Sequence, residues 1–306
     1  MLNTLLSPIN KALLAKELKQ CRKLKKCTRG HNELYVFTAY EAPNILLEIA
    51  RLRELTFREA GGGTGLPFDM DEFDIGDHPY SQLFLWDPRA KEIVGGYRFC
   101  KMRNSLTKDG EPQLSTAELF SFSKKFMCDY FSNTLELGRS WIQPTHQFRE
   151  GNRKGIFSLE NLWEGVGALL ANEPDIHFLF GKVSVLTSYH AQARDLLLSF
   201  LQYYFYDEEL LVRPRQSFLL RPHPFAGMDF ENAYKLLREE LKNYGERIPP
   251  LIQSYMHLSE GMKIFGSCID PSFGNSAETG LLITVANIYE EKKQRYFGPL
   301  QFFKAA

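Results

Sequence analysis

The segment NTLELGRSWI (133–142) constrains the chain more than any other. It alternates as a strand does, with Leu135, Leu137, Arg139 and Trp141 on one face and Glu136, Gly138 and Ser140 on the other. Polar residues thus stand within a central strand, where a charged side chain needs a partner. In a regular strand Glu136 and Arg139, three residues apart, face opposite sides. A β-bulge near Gly138 is expected instead, because it would turn the two toward each other and expose a backbone N–H.

Strands and helices alternate around this segment. ELYVFTA (33–39) reads as a strand, and Pro43 opens a helix that runs to about Arg58. The apolar stripe of that helix takes in Ile45, Ile49, Leu52, Thr56 and Phe57, and Arg53 falls on the same face, so a carboxylate must meet it. GGGTGLPFDMDEFD (61–74) is too rich in glycine and acid for regular structure and reads as a loop. SQLFLWD (81–87) and KEIVGGYRFCK (91–101) form a hairpin, and a helix is expected over 113–131. The loop HQFREGNRKG (146–155) leads into a helix with Ser158 as N-cap and Leu159, Leu162, Trp163, Val166, Leu169 and Leu170 as its apolar surface. HFLFGKVSVL (177–186) is the next strand, with helices over 188–204 and 229–244. The alternation defines an α/β (α+β) chain.

At 306 residues and 44% hydrophobic content the chain can bury one large core or two coupled ones. No long linker, repeat or low-complexity tract divides it. We read a basic N-terminal arm (1–30), a core (31–205) and a C-terminal extension (206–306) packed on that core. The arm holds eight Lys and Arg against one Glu, so a net charge of zero leaves the remainder seven charges negative. With Leu5, Leu6, Ile9, Leu13, Leu14 and Leu18 partly in helical register, the arm suits an anionic membrane surface or an acidic partner. A solvated N-terminal helix accounts for the same pattern. Cys21, Cys27, Cys100, Cys128 and Cys268 are odd in number, without a CxxC pair or a zinc-type grouping, which favours a reducing cytosol and no metal. No secretory signal, apolar span or nucleic-acid partner is expected.

Acyl transfer from a thioester to an amine needs a base for the ammonium proton, donors for the developing oxyanion and a seat for the acyl carrier. Glu136 can take the proton directly or through water when partial burial makes it a stronger base. Pairing with an arginine to hold the sheet would explain Glu136 equally. A second set, Asp71, Asp74, Arg53, Arg98 and Arg139, spans a helix, a loop and two strands. Such groups pair when buried, and the network either binds the charged ends of an amino acid or pins the acidic loop over the site.

In order and spacing, R53-x3-F57, DEFD (71–74), IVGGYRF (93–99) with Arg98, and ELGRS (136–140) resemble two related groups. These are the acyl-homoserine-lactone synthases and the ornithine-lipid and glycine-lipid N-acyltransferases, GNAT-like enzymes that use acyl carrier protein. The tail PPLIQSYMHLSEGMKIFGSCIDPSF (249–273) resembles the aminolipid acyltransferases, often labelled hemolysin-like. The resemblance implies a GNAT-like mixed central sheet flanked by helices, splayed between 133–142 and 177–186, with the acyl-pantetheine arm entering the splay. It implies Glu136 as base beside Arg139, with Arg53, Phe57, Asp71, Asp74 and Arg98 organising the amino-acid site. It further implies acyl carrier protein as donor of a long-chain (3-hydroxy)acyl group, and no bound cofactor. The acceptor would be glycine, serine or ornithine, and the enzyme cytoplasmic, with peripheral contact at the inner membrane.

Arg149, Gly151, Asn152, Arg153, Lys154 and Gly155 form a basic loop without the glycine spacing of a CoA pyrophosphate site, so it fits an acidic carrier better than the nucleotide. An exposed basic loop would look the same. No tyrosine is clearly placed to protonate the leaving thiolate, and Tyr189 is the substitute. Competing readings are an acetyl-CoA-dependent GNAT, a signal synthase using S-adenosylmethionine, a membrane-active protein, and an O-acyltransferase built on His190 and Asp195.

Overall fold

A computed structural model describes residues 3–147, 155, 157–218, 220 and 224–297. Helix α1 (Lys11–Glu17), capped by the Asn10 side chain, leads into β1 (Arg22–Lys26) and β2 (Glu33–Phe37). Helix α2 (Pro43–Glu59) starts on Pro43, where the missing N–H has no helical partner to lose. Next come α3 (Glu72–Ile75), β3 (Ser81–Asp87), β4 (Glu92–Lys101), β5 (Phe120–Phe122), α4 (Lys124–Asp129) and β6 (Thr134–Ile142). The chain continues through α5 (Ser158–Asn172), β7 (Phe178–Val185), α6 (Ala191–Tyr204) and β8 (Val212–Pro214). It closes with α7 (Phe230–Asn243), α8 (Pro250–Met256), β9 (Lys263–Asp270) and β10 (Ser276–Thr284).

One sheet of eight strands, in the order β1-β2-β3-β4-β6-β7-β10-β9, carries the molecule. Among the described strands of this sheet, only the β6–β7 ladder is parallel, as its connection through the crossover helix α5 requires. Alternation on β2 and β3 sends Tyr35, Phe37, Phe84 and Trp86 toward Ile45, Leu46, Ile49 and Leu52 of α2. It sends Leu34, Val36, Leu83 and Leu85 to the opposite face, where α5 buries Leu162, Val166 and Leu169. A third cluster, with Phe120, Phe126, Phe131, Phe180 and Phe265, lies beneath the small β5–β8 ribbon.

Several elements differ from the sequence expectations. The 113–131 segment is not one helix: β5 interrupts it, and α4 begins only at Lys124, where Ser123 Oγ accepts from Phe126 N–H. Ser158 is the first residue of α5 rather than its N-cap, because its hydroxyl donates to the His146 carbonyl at 3.1 Å. In the arm, residues 22–26 form an edge strand on β2 instead of prolonging the helix. Its lysines suit an edge, where charge discourages pairing with another chain. Four of the arm's eight cations are answered by acidic residues of the body. Lys11 pairs with Glu92, Lys23 with Glu33, Lys25 with Glu164 and Arg29 with Glu160. At the other end, β10 pairs with β7 from Ala277–Val185 to Thr284–Phe178, so residues beyond 205 extend the same sheet.

The feature that positions the site is a gap. The β6–β7 ladder runs from Thr134–Phe178 to Leu137–Gly181 and stops, although β6 continues to Ile142 and β7 to Val185. At the last rung the backbones approach so closely that a Cβ on Gly181 would stand 2.5 Å from the Leu137 carbonyl oxygen. Beyond it β7 follows β10, whereas β6 follows β4. Among the described residues no helix is long and apolar enough to cross a membrane.

Candidate active site

Where β6 leaves β7 it carries a bulge. The β4–β6 register passes from Gly96–Trp141 to Arg98–Gly138, so Arg139 and Ser140 oppose the single residue Tyr97. Arg139 takes φ +47°, the left-handed region that a non-glycine residue seldom enters. The inserted residue reverses the side-chain alternation, as the sequence led us to expect near Gly138. Trp141 therefore packs with the α2 cluster, while Leu135 and Leu137 remain with α5. Arg139 likewise turns to the face of Glu136.

On that face, three arginines and three aspartates close a ring of alternating charge. Arg53 meets both oxygens of Asp74 at 3.0 and 2.7 Å. Arg98 joins Asp74 at 3.2 Å to Asp71 at 2.5 Å. Arg139 joins Asp71 at 3.3 Å to Asp69 at 2.9 Å, and Asp69 returns to Arg53 at 3.1 Å. Asp69, absent from the sequence-derived set, is thus needed to complete it. The acidic loop is not wholly irregular, since Asp71 caps α3 by accepting from Phe73 N–H, and Asp74 accepts from Asp71 N–H in return. Burial opposes ionisation of Asp74, but Arg53 and Arg98 outweigh it and hold the carboxyl well below the usual range. Asp69 is lowered against its own burial by Arg53 and Arg139. The ring satisfies its charges internally and pins the acidic loop. Its accessible members are Asp71 and Arg139, whose side chains are 31% and 17% exposed.

Glu136 is fully buried beside the ring, one residue before the gap. Contrary to the simplest structural expectation, its partners are not arginines. Tyr80 Oη donates to one carboxylate oxygen, and Ser115 Oγ donates to the other at 3.3 Å. Among the described residues no ion pair joins Glu136 to Arg139, so the bulge brings them to one face without contact. Tyr80 Oη also accepts from Ser115 N–H at 3.0 Å, and its ring lies 5.5 Å from the Arg98 guanidinium. Burial, reinforced by Glu136, raises the Tyr80 hydroxyl far above its ordinary value and keeps it a donor. Cys100 Sγ lies 3.6 Å from Glu136, and burial with that neighbour raises the thiol too. Both effects disfavour its thiolate.

Phe57 meets the C-terminal part of the chain. Its aromatic ring packs edge-on at 5.0 Å against Phe273, a residue of the C-terminal segment. Beyond the bulge, a cavity of about 710 Å³ is lined by Ser140, Trp141, Ser158 and Trp163, and also by Thr56. Thr56 and Trp163 come from helices on opposite faces of the sheet, so this cavity spans the gap. Gly155 lines it as well, whereas Arg149, Arg153 and Lys154 lie outside the described residues. Tyr189 is committed elsewhere, its hydroxyl donating to the Arg247 carbonyl at 3.1 Å. His190 stacks on Tyr244 while Asp195 pairs with Arg194. Among the described residues no cluster of His, Cys, Asp and Glu could hold a metal.

A sheet opened between two parallel strands, with a bulge at the opening and a buried carboxylate beside it, is the arrangement expected from the resemblance to GNAT-like enzymes. Residues 52–154 match the family model described as an acetyltransferase (GNAT) domain. The chain is 42% identical to a glycine N(alpha)-acyltransferase of Bacteroides thetaiotaomicron, over 95% of its own length and 89% of that protein. It is 41% identical to the glycine N(alpha)-acyltransferase of Phocaeicola vulgatus, over 95% and 92% of the two chains. The chain belongs to the family that these two N-acyltransferases represent.

Proposed function

We propose that this enzyme moves a long-chain acyl group from acyl carrier protein to the α-amino group of glycine, in the synthesis of an aminolipid. The observation that carries the reading is the seat of Glu136: a buried carboxylate held by two neutral donors, one residue from a gap spanned by a cavity. Glu136 takes a proton from the glycine ammonium. The free amine attacks the thioester carbonyl, and a backbone N–H freed by the bulge faces the oxygen as it becomes anionic. Collapse expels the pantetheine thiolate, which leaves without prior protonation because a thiol has a pKa of about 8.5, and the second proton, shed by the nitrogen as the amide forms, passes to that thiolate. Arg139, the partly exposed cation of the ring, takes the glycine carboxylate. The choice of glycine follows the activity for which both relatives are named.

Carrier protein as donor is supported by charge beside the cavity. Pro250 and Gln253 line both it and a trough of about 820 Å³ that also bears Arg238, Lys242 and Arg247 against the single acidic residue Glu246. These three exposed cations have no acidic side-chain partner among the described residues, and carriers are acidic. The 3-hydroxy substituent and contact with the inner membrane extend the same proposal, the first through the donor and the second through the basic arm.

The test is mass spectrometry of lipids from a bacterial host expressing the chain or Glu136→Ala, fed isotope-labelled glycine and ornithine in parallel. A labelled N-acylglycine that appears with the wild type and vanishes with the variant is expected. Label arriving only from ornithine would replace the acceptor. A lipid profile unchanged by soluble wild-type protein would overturn the reaction.

A further inference from the structure

The site described so far comes from residues 53–140, yet a residue far along the chain sits across it. Phe273 ends the turn Pro271–Phe273 between β9 and β10 and is 5% exposed. Its ring centroid is 5.2 Å from the Arg139 guanidinium and 5.8 Å from Lys182 Nζ. Those residues belong to the two diverging strands, and Lys182 is the first residue of β7 past the final rung at Leu137–Gly181. One ring therefore bridges the mouth of the gap. It does so on the face of Glu136, since the same ring packs on Phe57 of α2 and on Arg139.

The ring is held from several sides. Asp270 caps the turn, accepting from Ser272 N–H at 3.0 Å and Ser272 Oγ at 2.6 Å. Lys182 ties Asp270 to the buried Glu278, with 3.0 Å to each. Gly274 follows in the left-handed region at φ +64°, and a Cβ there would stand 3.2 Å from Gly62 Cα. The glycine-rich loop thus lies against the turn. That loop is itself clamped by the buried Glu54, which accepts from Thr64 N–H, Thr64 Oγ and Gly65 N–H.

We propose that Phe273 sets the size of the acceptor amino acid, its ring filling the space that any side chain larger than hydrogen would occupy. The inference rests on the reading that an amino acid enters on the face of Glu136 with its carboxylate at Arg139. An acceptor held there lies under the ring, and a ring fixed by a capped turn cannot swing aside cheaply. It also gives the C-terminal segment a part in the reaction.

The experiment compares the full-length wild type with Phe273→Ala and Phe273→Leu. Acyl transfer from acyl carrier protein to glycine, alanine, serine and ornithine is measured as kcat/KM. Wild type favours glycine. The variants raise the alanine-to-glycine or serine-to-glycine ratio about tenfold or more, the span that one or two methylene groups of pocket space command. Phe273→Leu keeps most of the buried volume and carries the test if Phe273→Ala does not fold. A glycine-selective wild type whose ratios stay unchanged in the folded variants overturns the role of Phe273 and leaves the acceptor reading standing. A wild type that prefers a larger amino acid overturns both.

Discussion

At the scale of single residues, the site separates groups that hold the architecture from groups that face the chemistry. Glu136 and Tyr80 share a hydrogen bond out of water, and Tyr80 stays protonated because burial and the neighbouring carboxylate both oppose its ionisation. A hydrogen bond to a charged group contributes about 1.5–3 kcal/mol. Tyr80→Phe therefore lowers kcat roughly tenfold while KM for glycine stays near wild type, as steady-state kinetics would read. An equal rise in KM would place Tyr80 in substrate binding instead. Asp74 belongs to the first group. Asp74→Asn leaves Arg53 and Arg98 short of a buried counter-charge and costs roughly 3–5 kcal/mol at neutral pH. Because its folded pKa is depressed, the stability that Asp74 contributes is complete above the ordinary carboxylate value near pH 4 and is lost as pH falls through the lower folded value. Denaturant titrations from neutral pH to about pH 3 should therefore show a smaller acid-induced loss in Asp74→Asn than in wild type. The sequence exposed the ring only in part. Arg53 on an apolar helix face demanded a carboxylate, and DEFD supplied Asp71 and Asp74, but nothing in the chain said that Asp69 closes the circle. Tyr80 was harder still, since an aromatic residue in a loop before a strand gives no sign that its hydroxyl reaches a strand far along the sequence.

At the scale of elements, the β6–β7 pair decides where chemistry can happen. Its ladder ends where the bulge turns β6, and Gly181 permits the tight final rung. Gly181→Ala would press a methyl group onto the Leu137 carbonyl, whose backbone cannot move without shifting Glu136. A destabilisation of about 1–3 kcal/mol in denaturant melts is expected, with a fall in turnover larger than stability explains. Normal turnover in the folded variant would mean that the rung does not set the position of Glu136. The bulge was legible because strict alternation would have put Glu136 and Arg139 on opposite faces of a buried strand. The region over 113–131 was not, because Phe120 and Phe126 suit either a helix face or a strand covering an aromatic cluster. Only the partner β8, which lies some ninety residues away, resolves that choice in favour of β5.

At the scale of the whole molecule, the arm, the core and the C-terminal extension all contribute strands to one sheet. The basic arm lies along the acidic body through paired lysines, and the last hundred residues supply the strands at the far edge. One apolar cluster contains Leu34, Val183, Leu237, Ile252 and Leu281, which come from the beginning, middle and end of the chain. A fragment ending at residue 205 would lose β10 and leave the whole length of β7 from Phe178 to Val185 as an open edge. It would also expose the part of the core that α7 and α8 cover and leave Lys182 without Asp270 and Glu278. Burying one large apolar side chain stabilises a fold by about 1.5–3 kcal/mol, so uncovering several exceeds the roughly 5–15 kcal/mol by which a domain is stable. The fragment should accumulate as aggregate or lack a cooperative thermal transition, whereas the full chain melts in one step. A fragment that melts cooperatively and still acylates glycine would mean that the core folds alone and that Phe273 is dispensable. In the structure as it stands, the strand that borders the gap is held in place by its pairing with β10, and the ring that closes the gap arrives with the same hairpin.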